Sequence, residues 1–139
     1  MDTQFNLERF VEAQAPVYRK VVAELKAGRK QTHWMWFIFP QIAGLGHSAM
    51  AQTYAISSAD EAAAYLAHPL LGARLRECSA LVAAIDDKAV EEIFDAPDDL
   101  KFHSSMTLFS EVAPDEAVFV ECINKFFDGV PDQATVDRL

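Results

Sequence analysis

The chain has 139 residues, of which 51% are hydrophobic, enough for one domain whose core needs no disulfide staples. Its net charge of −9 argues against general nucleic-acid binding, which needs a clustered basic face, and its two cysteines, Cys78 and Cys122, are too few for a disulfide framework. No apolar run approaches the roughly 18 residues that span a bilayer, and the opening Met-Asp-Thr-Gln-Phe-Asn lacks the basic and apolar regions of a signal peptide, so a soluble, cytoplasmic protein is expected.

The punctuation is helical almost throughout. Asn6 is placed to cap a helix through Leu7–Val11, and Pro16 suits the first turn of a second helix that ends at Gly28. In that second helix Tyr18, Val21, Val22 and Leu25 recur at i, i+3, i+4 and i+7, the spacing of a buried stripe. Thr32 is a candidate cap for a short helix through Trp34–Phe39, which Pro40 closes. This run has no polar face, so it is buried on every side or lines a cavity.

Gly44-Leu-Gly46 makes a turn, after which Ser48 caps Ala49–Ile56; Ser58 precedes Asp60 and Glu61 at the start of the next helix, and Pro69 opens another through Ile85. Helices over Lys88–Phe94, Asp98–Val112 and Asp115–Phe127 follow, the last ending at Gly129, and residues 130–139 read as a C-terminal tail. The expectation is an all-α fold, a single domain of about seven to eight short helices.

Charge is unevenly spread along the chain. Residues 1–57 carry six basic residues against four acidic ones, and residues 58–139 carry six against seventeen, so a small anion has its best prospect of a positive pocket in the first half. Three clusters hold the residues that bear on chemistry. Lys30 and His33 lead into Trp34, Trp36, Phe37 and Phe39, either an aromatic core or a platform that stacks a planar ring beside a cation. Gly44-Leu-Gly-His-Ser48 sets a flexible loop before a helix N-terminus, where free amides bind anions, although neither of the two common glycine-rich nucleotide motifs is present. In the third cluster Asp98, Lys101 and Ser105 border the apolar stripe of Phe102, Met106, Phe109 and Ala113, while Ser104 and Thr107 fall on the opposite face.

His33, His47, His68 and His103 include no pair at the i, i+4 spacing of a helical zinc motif, and no cysteine pair assists, so neither a metal nor a cofactor is expected. No nucleophile elbow supports a serine hydrolase.

These blocks resemble the bacterial and fungal family catalogued as domain of unknown function 1810. The matching segments are Leu7-Glu-Arg-Phe-Val-Glu-Ala-Gln14, Gly28-Arg-Lys30, His33-Trp-Met-Trp-Phe-Ile-Phe-Pro-Gln41, Gly44-Leu-Gly46 with Ser48, Tyr54-Ala-Ile56, Ala64–Gly72, Arg74-Leu75, Pro97-Asp98 and Ser104–Phe109, spanning about residues 7–129. The resemblance implies a single all-helical domain and carries no established activity. Some members bear the label calpastatin, the name of a disordered repeat inhibitor, which does not describe a chain of this composition.

Polar and charged residues inside the most apolar blocks each cost on the order of 1–3 kcal/mol if buried without a partner, which points to a shared use. The expectation is a pocket for a small anionic ligand, nucleotide-like or ADP-ribose-like, lined by Trp34, Trp36 and Tyr54 and rimmed by Lys30, Ser48, Arg74, Lys101 and Ser105. Should the pocket be catalytic, Asp98 is the candidate general base and His33 the candidate acid or electrophile. The alternatives are a protein-interaction domain that exposes the same aromatics, and a structural domain whose polar cluster only fixes packing.

Overall fold

The computed structural model describes residues 5–139, which form ten helices, six of them seven residues or longer. They are α1 (Glu8–Gln14), α2 (Tyr18–Lys26), α3 (Met35–Ile38), α4 (Ala49–Thr53), α5 (Ala59–Ala67), α6 (Pro69–Ala83), α7 (Val90–Ile93), α8 (Asp98–Val112), α9 (Ala117–Phe127) and α10 (Gln133–Val136). The fold is all-α, as the helical punctuation implies. Among the described residues the extended pairing is a single parallel bridge between Ile42 and Ile56, closed by Ala43 N–H to Ile56 O and Ile56 N–H to Gln41 O, both at 2.8 Å. That bridge ends α4 at Thr53, short of the expected Ile56, because the chain must straighten to make it.

Several helix starts follow directly from local chemistry. Ser48 Oγ accepts from Ala51 N–H, and Ser58 Oγ accepts from Glu61 N–H. His68 Nδ1 accepts from the amides of Leu70 and Leu71, each at 3.2 Å, while Pro69 supplies the first helical residue of α6. Asn6 departs from the expected role: its side chain does not cap α1, and its φ of +51° places it in the left-handed region that asparagine tolerates. Thr32 likewise does not cap α3, whose first residue is Met35, because its hydroxyl donates to Glu24 instead.

Two glycines are required by geometry. Gly28, at φ +84°, closes α2 with its own amide on Leu25 O at 3.0 Å and that of Arg29 on Glu24 O at 3.1 Å. The turn delivers the Lys30 amide to Ile93 O at 2.9 Å, tying the start of the aromatic block to α7. At Gly72 an added Cβ would stand 2.1 Å from Leu66 O, so only glycine lets the first turns of α6 pass the end of α5.

The two fifteen-residue helices, α6 and α8, organise the core. Helix α8 packs on α5, α7, α9 and α10, and it is buried at Phe102 and continuously from Ser104 to Phe109, so its middle turns are covered on all sides. Helix α6 packs on α1, α2, α3, α5 and α9. One continuous cluster of buried apolar residues runs from Leu7 to Ile123 and contains the aromatic run: Trp34, Met35, Phe37, Ile38 and Phe39 are all buried.

The segment after Gly129 is not a tail. It folds back as α10 onto α8, where Asp132 Oδ2 accepts from Ser104 Oγ at 2.9 Å and Thr135 Oγ1 at 2.6 Å, and Asp132 N–H donates to Thr107 Oγ1 at 2.9 Å. The face of α8 that carries Ser104 and Thr107 is therefore an internal interface.

Candidate functional site

The first and third sequence clusters meet in space. Lys30, positioned by the Gly28 turn, places Nζ 2.8 Å from Asp98 Oδ2 in the first turn of α8 and 5.3 Å from the centroid of the Trp34 ring. Lys101, one turn along α8, places Nζ 3.8 Å from Asp98 Oδ1 and 5.3 Å from the centroid of the Trp36 ring. Each ammonium thus faces an indole, and the two share one carboxylate. The three ionic side chains are only 10%, 20% and 22% exposed for Lys30, Asp98 and Lys101, so their attraction is screened less than that of a surface pair. Within the triad itself two cations stand against one anion, and the neighbouring Asp99 adds a second carboxylate in the same turn of α8.

Three buried polar atoms on or beside this part of α8 lack partners, two of them donors and the third the acceptor Asp99 Oδ1 in the turn of Asp98. Trp36 Nε1, on the indole that Lys101 covers, and Ser105 Oγ are both shut off from solvent without a hydrogen bond. Ser105 lies along the same row of α8 as Asp98 and Lys101, at i+7 and i+4 from them, and is fully buried. An indole N–H donates only, and a serine hydroxyl both donates and accepts, so together they offer two donors with nothing to receive them.

Trp34, by contrast, is fully satisfied. Its Nε1–H donates to Glu24 Oε1 at 3.0 Å, and the same carboxylate accepts from the amides of Gln31 and Thr32 at 2.7 and 3.0 Å and from Thr32 Oγ1 at 2.6 Å. Burial pushes the Glu24 carboxyl up, but hydrogen bonds from the Thr32 hydroxyl and the Gln31, Thr32 and Trp34 N–H groups outweigh it and hold the group below its ordinary value. Sequence reasoning missed Glu24. The signal was an acidic residue set inside the stripe of Val21, Val22 and Leu25, where only a paired carboxylate survives burial.

The other predicted residues, His33 apart, have contacts of their own. Ser48 is an exposed helix cap. Tyr54 packs its ring on Phe10 and Phe37, with centroids 5.7 and 5.4 Å apart. His33 is exposed and makes no hydrogen bond among the described residues. Arg74 stacks over the Tyr18 ring at 4.3 Å and donates from Nη1 to Gln14 Oε1 at 3.3 Å. Gln14 was missed too: buried in α1, it donates from Nε2 to Phe37 O at 2.8 Å and Tyr65 Oη at 3.0 Å. Trp34, Phe37 and Phe39 are buried in the core, while Trp36 is half-buried at its edge. A shallow cavity of about 340 Å³ opens between the last turns of α2 and α6, lined by Leu25, Lys26, Gly28, Leu81, Ile85 and Lys88, none of them a predicted site residue.

No group of three or more histidine, cysteine, aspartate or glutamate residues is arranged to hold a metal ion among the described residues.

A family model described as "Protein of unknown function (DUF1810)" matches residues 4–139. The chain belongs to this family. The match of this DUF1810 chain runs beyond the resembling blocks at both ends and takes in α10, the segment that covers α8. Its fold is similar to the crystal structure of the conserved hypothetical protein Rv1873 from Mycobacterium tuberculosis, with a TM-score of 0.96 and 56% sequence identity over 97% of this chain and 96% of that one. No curated protein matches it.

Proposed function

We propose that the DUF1810 chain binds a small anionic ligand at the Lys30–Asp98–Lys101 triad, with Trp36 and Ser105 as its uncharged donors. The observation that carries this reading is the pair of unpartnered buried donors, Trp36 Nε1 and Ser105 Oγ, set beside a triad of two ammonium groups and one carboxylate. A solvent-shielded donor without an acceptor costs on the order of 1–3 kcal/mol, and an oxyanion reaching Lys101 supplies the missing acceptor. The long Lys101–Asp98 separation of 3.8 Å leaves that ammonium the more available of the two. Asp98 is the counter-ion that orients both lysines. In a catalytic version of this site it is the carboxylate placed to take a proton, with His33 as the surface acid.

A nucleotide or ADP-ribose-like compound combines the planar ring and the oxyanion that such a mixture of indole and ammonium favours. No helix among the described residues is long and apolar enough to cross a membrane, and the free thiols of Cys78 and Cys122 support a cytoplasmic setting.

The test is thermal denaturation of the full chain with nucleotides, ADP-ribose, sugar phosphates and dicarboxylates, repeated with Lys101→Ala. Ligand at ~100 times Kd adds about 2.7 kcal/mol, which raises the melting temperature by several degrees. The rise is expected in the parent and absent in the variant, whose Asp98 remains paired to Lys30. Unchanged melting with every compound, or an equal rise in the variant, overturns the assignment.

A further inference from the structure

Arg74 differs from its peers in one respect. Of the half-buried lysines and arginines among the described residues, Arg9, Lys30, Arg76 and Lys101 each have a carboxylate oxygen within 4.0 Å: Glu61, Asp98, Glu116 and Asp98 respectively. Arg74 has none. Its nearest sequence candidate is Glu77, at i+3 on α6, which is the spacing at which an ion pair usually forms.

Tyr18 explains why that pair is missing. Its hydroxyl donates to Glu77 Oε1 in a short hydrogen bond, holding the carboxylate on the phenol, while its ring lies under the Arg74 guanidinium with Cζ 4.3 Å from the centroid. The phenol also accepts from Cys78 Sγ at 3.7 Å, so the hydroxyl is engaged on both sides. Burial, reinforced by the Glu77 hydrogen bond, raises the Tyr18 phenol well above its ordinary value, so it stays a donor throughout the physiological range.

Behind the guanidinium, Gln14 is 1% exposed and both its Nε2 hydrogen bonds are spent on Phe37 O and Tyr65 Oη, which fixes its Oε1 toward Arg74 Nη1 at 3.3 Å. One of five guanidinium N–H donors is used there. The group is thus held from below by a ring and from behind by a buried amide, with its natural counter-ion drawn off.

We infer that Arg74 is a second oxyanion site, separate from the Lys101 triad, which takes a free phosphate or carboxylate on the open edge of a guanidinium seated on Tyr18 and Gln14. A planar fork of N–H donors matches two oxygens of either group. Tyr18 is a positioning residue in this site, since its hydroxyl acts only through Glu77.

The experiment is a titration of the 15N-labelled full chain with inorganic phosphate, and separately with succinate, against sodium chloride at matched ionic strength, following the Arg74 Nε–Hε resonance. A saturable shift with either oxyanion and none with chloride is expected. Lys101→Ala leaves the response intact. Tyr18→Phe keeps the ring and frees Glu77 to compete, weakening binding by about threefold to fivefold, the strength of an exposed ion pair, and adding Glu77→Gln restores it. A merely structural role for Tyr18 predicts no such rescue. Absence of a saturable shift in the wild-type chain, which needs no variant to fold, overturns the inference, as does loss of the response in Lys101→Ala, which would make the two sites one.

Discussion

The indole N–H of Trp34 donates at 3.0 Å to Oε1 of Glu24, a carboxylate ten residues earlier in the chain that also gathers the amides of Gln31 and Thr32 and the hydroxyl of Thr32. One side chain of α2 thereby fixes the whole approach to the aromatic block, and with it the position of Lys30. Glu24→Ala leaves the fully buried Trp34 donor unpaired and should cost about 3 kcal/mol, whereas Glu24→Gln keeps one acceptor oxygen and should cost about half of that. Urea denaturation of the two variants checks the ranking, and equal midpoints would refute it.

The same carboxylate gives the stability curve its acid limb. Glu24 and Glu116 both titrate below their ordinary values in the folded chain, Glu116 because Arg76 grips it through Nε at 2.5 Å and Nη2 at 2.8 Å. A depressed folded pKa contributes stability that is whole above the unfolded carboxylate value of about 4.3 and is lost as pH falls through the folded value. The alkaline limb has the opposite sign: burial pushes Cys78 and Cys122 up to about 12 and raises Tyr65, so the folded chain holds protons that the unfolded chain releases above about pH 8.5. Melting temperature should therefore be flat between about pH 5 and 8.5 and fall on both sides. A curve still rising above pH 9 would contradict the thiol assignment.

What the sequence made legible was whatever depends on neighbours in the chain. Ser48, Ser58 and the His68-Pro69 pair announce helix starts because each cap bonds an amide two or three residues away. The bounds of α8 follow from Pro97 and the run after it. That Lys30 meets Asp98 and Lys101 in space is a matter of the fold, since the Gly28 turn and the first turns of α8 are far apart in the chain. The roles of Glu24, Gln14 and Asp132 were not legible, since they depend on partners reached through turns or distant segments, such as Phe37 O for Gln14 and Ser104 for Asp132. Ser48, Tyr54 and Arg74 stand in separate distinctive segments, and the order of segments along a chain does not fix which side chains meet in space.

Cys78 and Cys122 are both fully buried and free, and their thiols are pushed up to about 12 by burial. The thiolate is the reactive form, so both should resist alkylation at pH 8 in the native chain and react promptly in denaturant. Mass spectrometry after iodoacetamide treatment reads this directly. Rapid native labelling of either one would mean that α6 or α9 opens far more readily than its packing implies.

Ser105 separates a ligand site from a packing device. Its Oγ is buried with no partner, so Ser105→Ala removes an unsatisfied hydroxyl and should change the stability of the free chain by less than about 1 kcal/mol, in either direction. Under the binding reading, the same variant loses an acceptor's partner and should weaken the ligand-induced rise in melting temperature. A large loss of stability with no ligand present would instead assign Ser105 to a polar network that holds α8 in place.

Asp132 decides whether residues beyond Gly129 are part of the fold. Its carboxylate takes the hydroxyls of Ser104 and Thr135 and its amide meets Thr107, with Ser104, Thr107 and Thr135 all buried. Arg138 extends the attachment by donating to Gly44 O at 3.4 Å, at the turn before α4. Asp132→Ala should cost about 2 kcal/mol, since two hydroxyls lose a charged acceptor while Ser104 keeps its bond to Leu100 O. Hydrogen exchange should then quicken in α10 and along the Ser104 and Thr107 face of α8 together, because the two surfaces cover each other. If exchange quickened only after residue 132, or stability were unchanged, the segment would be a loosely attached end, and α8 would draw its burial from α5, α7 and α9 alone.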